Sequence, residues 1–127
     1  MNPLYKKLWV DALRSDKYEQ GKTHLYEFDP KNPNTKPHCC AMGVLLDVMN
    51  WPYRNGSYVT GVRFYENPRR GFGSPSLFPN AASKEAGFAE DTMFGPKLTY
   101  VVQDFVSTMS DNGVPFKVLA DLIEEQL

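Results

Sequence analysis

The feature that most constrains the fold is an almost continuous apolar run from Cys39 to Met49. Only Gly43 and Asp47 interrupt this run. It is longer than a typical strand and close to the length of an average helix, so it predicts a buried central helix. It falls short of the roughly 18 apolar residues that predict a membrane span. Glycine inside a helix costs about 1 kcal/mol relative to alanine, so Gly43 indicates close packing against another element.

Further helices are predicted on either side of this run. Pro3 to Arg14 carries Asn2 as its N-cap and proline at its first position. Its apolar residues recur at spacings of three and four, which predicts that one stripe is buried. The stripe consists of Leu4, Leu8, Trp9, Ala12 and Leu13.

The C-terminal part of the chain predicts two more helices. Residues Pro96 to Met109 and Pro115 to Leu127 both show helical apolar spacing. Between them, Gly113 supplies the left-handed turn that commonly ends a helix.

Short strands are predicted from alternating segments and from strand-prone residues. Thr23 to Phe28 alternates, and an extended segment follows through Lys36 and His38. Tyr53 to Glu66 is rich in aromatic and β-branched residues around an Asn-Gly turn. These patterns predict an α+β fold with a central buried helix, flanking helices and a small antiparallel sheet from about Thr23–His38 and Ser57–Glu66.

The length of 127 residues predicts one globular domain over 1–127. Residues 67–95 contain several prolines and glycines, which predicts an irregular and mobile connection. Short helical turns are expected near Ala81–Phe88.

Charge and cysteine content exclude several classes of protein. The net charge is −1, with eleven basic and seven acidic residues in 1–75 and three basic and eight acidic residues in 76–127. This balance argues against a general nucleic-acid binder, although a local basic patch remains an alternative. Two cysteines do not make a disulfide scaffold or a four-cysteine zinc site. With no signal peptide in the sequence, a cytoplasmic protein without a cofactor is expected.

The best candidate for ligand contact is the segment that contains Arg69, Arg70 and Phe72. Two guanidinium groups match phosphate or carboxylate, and the phenyl ring can stack on another ring. Neighbouring glycines allow close approach of the backbone, and Arg63 is a further candidate. The alternative is a solvated loop with incidental arginines.

Cys39 and Cys40 are candidates for thiol chemistry, with His38 or His24 as the base. A thiol at a helix N-terminus has a lowered pKa and becomes more nucleophilic. The alternative is buried packing, because cysteine is among the residue types most often buried. The spacing of these four residues lacks the usual zinc pattern, so no metal site is predicted.

Three segments carry a resemblance to a known group of proteins. They run from Trp9 to Gly21, from Cys39 to Asp47 and from Ser110 to Glu124. Together they resemble a widespread group of small bacteriophage and prophage proteins with a Cys-Cys-x-Gly-Val-Leu-x-Asp segment. The chain departs from that group at Leu46, where the group often has cysteine, and at Ser110, where it often has asparagine. The resemblance implies a phage-type origin and a host-cell cytoplasmic location, and it implies no activity.

The sequence therefore predicts a non-enzymatic accessory protein that binds a host protein or a small anionic, nucleotide-like ligand. By analogy with other small phage proteins, an anti-defence role is expected. One alternative is a thiol-dependent enzyme that uses Cys39 or Cys40. Another is a structural or oligomerising component whose interface contains Tyr53, Tyr58 and Tyr65.

Overall fold

The structure is a computed structural model that describes residues 1–21, 24–32, 34–56, 61–67, 71, 75–76, 78–88 and 106–127. Its helices are α1 (Pro3–Arg14), α2 (Ala41–Val48), α3 (Asn80–Ala86), α4 (residues 106–111) and α5 (Phe116–Gln126). Its strands are β1 (Glu19–Gln20), β2 (Tyr26–Phe28), β3 (His38–Cys39), β4 (Tyr53–Asn55) and β5 (Gly61–Tyr65). The predicted α+β class is confirmed.

The five strands form one sheet in the order β1-β3-β2-β5-β4. The pairs β2–β3, β2–β5 and β4–β5 are antiparallel, whereas β1 runs parallel to β3. The sheet is therefore mixed rather than wholly antiparallel as predicted. The reason is topological: β3 inserts between β1 and β2, which run in opposite directions, so β3 is antiparallel to one and parallel to the other.

The predicted central helix is confirmed as α2, whose first six residues are all buried. A Cβ atom built on Gly43 would lie 1.5 Å from the backbone oxygen of Leu25. No side chain fits in that space, so glycine allows α2 to lie directly on the chain that enters β2. The close packing predicted at Gly43 is confirmed.

Helices α1 and α5 both pack into the same core as α2. The buried residues of α1 are Trp9, Val10 and Leu13, whereas Leu4 and Leu8 are exposed. The predicted stripe was therefore wrong at Leu4 and Leu8, because the buried face of α1 is rotated away from them toward Val10 and Leu13. The indole Nε1 of Trp9 donates a hydrogen bond to the Ala41 carbonyl at 2.8 Å, which ties α1 to the start of α2.

The C-terminal elements agree with their predictions. Helix α5 follows Pro115, and Gly113 has a φ of 82°, as expected for the left-handed turn. Helix α3 overlaps the helical turns expected at residues 81–88 and begins one residue earlier. Most of the predicted helix at residues 96–109, and much of the rest of the irregular region 67–95, lie outside the described residues.

Among the described residues, no helix is long and apolar enough to cross a membrane.

Candidate functional site

The candidate site lies on the face of the sheet that α2 partly covers. Paired residues of neighbouring antiparallel strands share a face, and side chains alternate along each strand. The pairs Tyr53–Tyr65 and Phe28–Gly61 therefore put Tyr53, Arg63 and Tyr26 on one face. Three adjacent strands thus place an arginine between two tyrosines.

The guanidinium of Arg63 is sandwiched between these two aromatic rings. Its central carbon lies 3.5 Å from the ring centroid of Tyr26 and 3.8 Å from that of Tyr53. Both distances are well within the range of about 6 Å for a cation–π interaction. Only 13 % of the Arg63 side chain is exposed, so the sandwich fixes the guanidinium rather than leaving it to move in solvent.

Asp47 fixes the same guanidinium from the side of α2. Arg63 Nη1 donates to Asp47 Oδ1 at 2.7 Å and to the Tyr65 hydroxyl at 3.4 Å. The other carboxylate oxygen, Oδ2, accepts a hydrogen bond from the Tyr18 hydroxyl. One carboxylate on α2 therefore connects the chain after α1 with strand β5.

The tyrosines of this cluster are held in their neutral form. Burial, followed by the hydrogen bond to Asp47, raises the pKa of Tyr18 far above its ordinary value. Burial also raises the pKa of Tyr26 and of Tyr65. The hydroxyl groups consequently remain hydrogen-bond donors over the physiological pH range, which suits the acceptor role of Asp47.

Two clefts share the Tyr53–Arg63 wall. The first, here called the strand cleft, has a volume of about 280 Å³ and is lined by Tyr26, Phe28, Asp29, Pro30, Thr35, Pro37, Tyr53, Asn55 and Arg63. The second, here called the helix cleft, has a volume of about 380 Å³ and is lined by Leu46, Asp47, Asn50, Trp51, Pro52, Tyr53 and Arg63. Both volumes are close to the lower end of the roughly 300–1,000 Å³ that small-molecule pockets occupy.

The strand cleft combines an apolar floor with a few polar groups. The ring of Phe28 covers Gly61, where an added Cβ would come within 2.5 Å of that ring. Asn55 pairs directly with Arg63 across the strands, so the two side chains are neighbours on the same face of the sheet. Apolar walls with a few fixed polar groups are typical of ligand sites.

Of the four predicted ligand-contact residues, Arg63 belongs to this site. Arg69, Arg70 and Phe72 lie outside the described residues, so their contact with a ligand stays a prediction. Asp47, Tyr26 and Tyr18 were not predicted from the sequence to belong to a site. Tyr53 was considered only as part of an oligomer interface. Of its companions in that interface, Tyr65 is 1 % exposed, and Tyr58 lies outside the described residues.

Cys39 and Cys40 are both buried free cysteines. Cys39 lies in β3 and not at the start of the central helix as predicted, whereas Cys40 is the residue that precedes α2. Burial raises the pKa of both thiols, although the backbone N–H groups of Met42 and Gly43 oppose this at Cys40. This is the opposite of the shift that makes a thiol a nucleophile at neutral pH.

Within the described residues, neither candidate histidine is hydrogen-bonded to Cys39 or Cys40. His38 is exposed and precedes the buried Cys39 in β3, so the two side chains point to opposite faces of the sheet. The Nδ1 atom of His24 lies 3.2 Å from Glu27 Oε2. Among the described residues, no hydrogen bond joins a histidine to either thiol, and no group of three or more His, Cys, Asp and Glu is arranged to hold a metal ion.

The N-terminus of α2 is already occupied by a side chain of the protein. Ser110, which is fully buried, accepts a hydrogen bond from the backbone N–H of Ala41 at 2.9 Å. This satisfies one of the N–H groups that a helix leaves without an intrahelical partner.

Fold and site together define a small α+β protein with an arginine–tyrosine cleft on one face of its sheet. The chain belongs to the family described as a domain of unknown function, DUF8296, whose model matches residues 1–127. No curated protein and no solved structure matches the chain. The family description names no activity, and the resemblance to bacteriophage proteins stays a prediction.

Proposed function

We propose that this protein is a non-enzymatic binding protein that sequesters a small, planar, nucleotide-like ligand in the strand cleft. The observation that carries the proposal is the Tyr26–Arg63–Tyr53 stack, which forms a rigid wall of a cleft large enough for a ring system. Tyr53 is 43 % exposed at this wall, so its ring offers surface to a ligand.

Two further observations, one at the cleft and one at the cysteines, support binding rather than catalysis. Its polar groups are held in place by interactions within the protein, as for Arg63 by Asp47 and the two tyrosines. A prearranged site loses little entropy when a ligand binds. The cysteines, which are the residues considered for catalysis, are buried with raised pKa values.

The resemblance to bacteriophage proteins gives this proposal a biological setting. A phage-encoded protein that sequesters a nucleotide-like signal would deprive a host defence of that signal. The contact of Arg69 and Arg70 with anions stays a prediction from the sequence in this setting.

A titration with ribonucleoside 5′-monophosphates tests the proposal, with Trp51 in the helix cleft as the fluorescent reporter. We expect saturable binding that is lost in Arg63→Ala. Arg14→Ala is the matched control, because Arg14 also pairs with carboxylates, Asp121 and Glu124, but joins α1 to α5. Equal binding by wild type and Arg63→Ala, or no binding of any nucleotide, would contradict the proposal.

A further inference from the structure

The charges at the strand cleft do not favour an anion. Asp47 lies 2.7 Å from the Arg63 guanidinium, so the charge of that guanidinium is already balanced. The lining residues that the structure describes include one more charged group, the exposed carboxylate of Asp29. A phosphate placed here would meet one paired cation and two carboxylates, which gives little net attraction.

The hydrogen-bonding capacity of Arg63 points instead to a neutral group. A guanidinium carries five N–H donors in a planar arrangement. Within the described part of the chain, the hydrogen bonds from Arg63 to Asp47 and Tyr65 both start at Nη1. This leaves the parallel donors on Nε and Nη2, which form the side of the guanidinium that can bind two adjacent acceptors at once.

The residues around Arg63 favour a ligand in which a flat ring carries these two hydrogen-bond acceptors. Tyr53 and Phe28 offer aromatic surface, and Asn55 adds an amide beside the guanidinium. Guanine presents two adjacent acceptors, N7 and O6, which match an arginine pair of donors. Adenine presents a donor, the N6 amino group, at the place of O6 and therefore fits less well.

We propose that the strand cleft selects the uncharged ring of a guanine-like ligand. In this arrangement Asp47 acts as a positioning residue that turns the Nε and Nη2 donors of Arg63 toward the ring. The same carboxylate suppresses the binding of anions. This inference rests on the proposed function and narrows it, because the phosphate of a nucleotide then lies outside the strand cleft. Tyr18 supports the same arrangement, since its hydroxyl holds the second oxygen of Asp47.

The test compares guanosine, guanosine 5′-monophosphate and adenosine by isothermal titration calorimetry on the intact protein. We expect guanosine and its monophosphate to bind within about threefold of each other, and adenosine to bind at least about tenfold more weakly. Raising the salt from about 0.1 M to about 1 M should change the guanosine affinity little, since no unbalanced charge is involved.

Asp47→Asn tests the role of Asp47 through the ratio of the affinities for the monophosphate and guanosine. A purely structural role of Asp47 would leave this ratio unchanged. This variant frees the charge of Arg63 at nearly constant shape, so the monophosphate should gain about fivefold to tenfold over guanosine, and the gain should vanish in high salt. If the ratio of the two affinities in Asp47→Asn stays as it is in wild type, the suppression of anion binding by Asp47 is contradicted.

The outcomes separate this inference from the proposed function. Wild-type protein that binds the monophosphate far more tightly than guanosine, or adenosine as tightly as guanosine, would overturn the inference and leave the proposed function standing. Wild-type protein that binds none of these probes, nor any other ribonucleoside monophosphate, would overturn both. The comparison in wild type needs no variant, so the inference stays falsifiable if Asp47→Asn fails to fold.

Discussion

Replacing Gly43 by alanine should destabilise this protein, although the same change stabilises an ordinary helix. In a helix interior, alanine is favoured over glycine by about 1 kcal/mol. Here the added Cβ would lie 1.5 Å from the Leu25 oxygen, and real Cβ contacts essentially never fall below 3.0 Å. Helix α2 or the backbone at Leu25 must therefore move by about 1.5 Å.

The size of the loss in free energy of unfolding depends on which atom the added Cβ would contact. Overpacking a core costs about 1–3 kcal/mol, occasionally more, and a backbone oxygen cannot rotate away as a side chain can. A clash with backbone belongs at the upper end of that range, about 3 kcal/mol, so subtracting the helix-propensity gain of about 1 kcal/mol leaves a net loss of about 2 kcal/mol in the free energy of unfolding. For a domain of this size, this corresponds to a fall in Tm of about 8 °C.

Urea unfolding followed by circular dichroism measures this change, with Gly113→Ala as the control. Unlike Gly43, Gly113 has a positive φ, 82°, but an added Cβ there would meet nothing within 4 Å. Its replacement should cost about 1 kcal/mol from backbone strain alone. A Gly43→Ala protein as stable as wild type would refute the close packing of α2 on the chain before β2. Because Asp47 lies one turn after Gly43 on α2, the folded fraction of the variant should also bind ligand more weakly.

Three further predictions concern the groups around α2 and the half-buried Tyr18. Ser110→Ala leaves the buried N–H of Ala41 without a partner, so chemical denaturation should show a loss of about 1–3 kcal/mol in the free energy of unfolding. An unchanged denaturation midpoint would contradict this capping role. Cys39 and Cys40 should resist iodoacetamide at neutral pH until the protein unfolds, because burial raises their pKa values. Rapid alkylation of the folded protein below pH ~7 would instead support the alternative of a thiol-dependent enzyme. The pKa of Tyr18 is raised in the folded state, so its stabilising effect is present below the unfolded pKa of about 10 and is lost as the pH rises above it. The free energy of unfolding should therefore fall as the pH rises above about 9, and less steeply in Tyr18→Phe, whereas equal slopes would contradict the shift.

The secondary structure that dominates the core could be predicted because its signals are local. An apolar run of helical length identified α2, and the cost of glycine in a helix identified the close approach at Gly43. The stripe on α1 was predicted less well, since the spacing of three and four fits more than one face of this helix. The buried face runs through Trp9, Val10 and Leu13, and Leu4 and Leu8 lie on a different side of the helix.

The candidate site could be predicted only in part because it depends on strand register. Arg63 was identified as a ligand contact from its charge, but its partners Tyr26, Asp47 and Tyr53 come from three other elements. No spacing in the sequence brings these residues together; the pairing of β2, β5 and β4 does. The alternation of Tyr26 with Phe28, and of Arg63 with Tyr65, is the one local signal that these residues share faces.

The central claim, that the strand cleft is the binding site, is tested most directly by nuclear magnetic resonance. Guanosine 5′-monophosphate is added stepwise to isotopically labelled protein, and the shifts of the backbone amides and of the Arg63 Nε–H group are followed. The account predicts that the largest changes occur at Asn55, Arg63 and Tyr53, and that Arg63→Ala abolishes them while Arg14→Ala does not. Saturating changes confined to α1 and α5, or no changes at any ligand concentration, would contradict it.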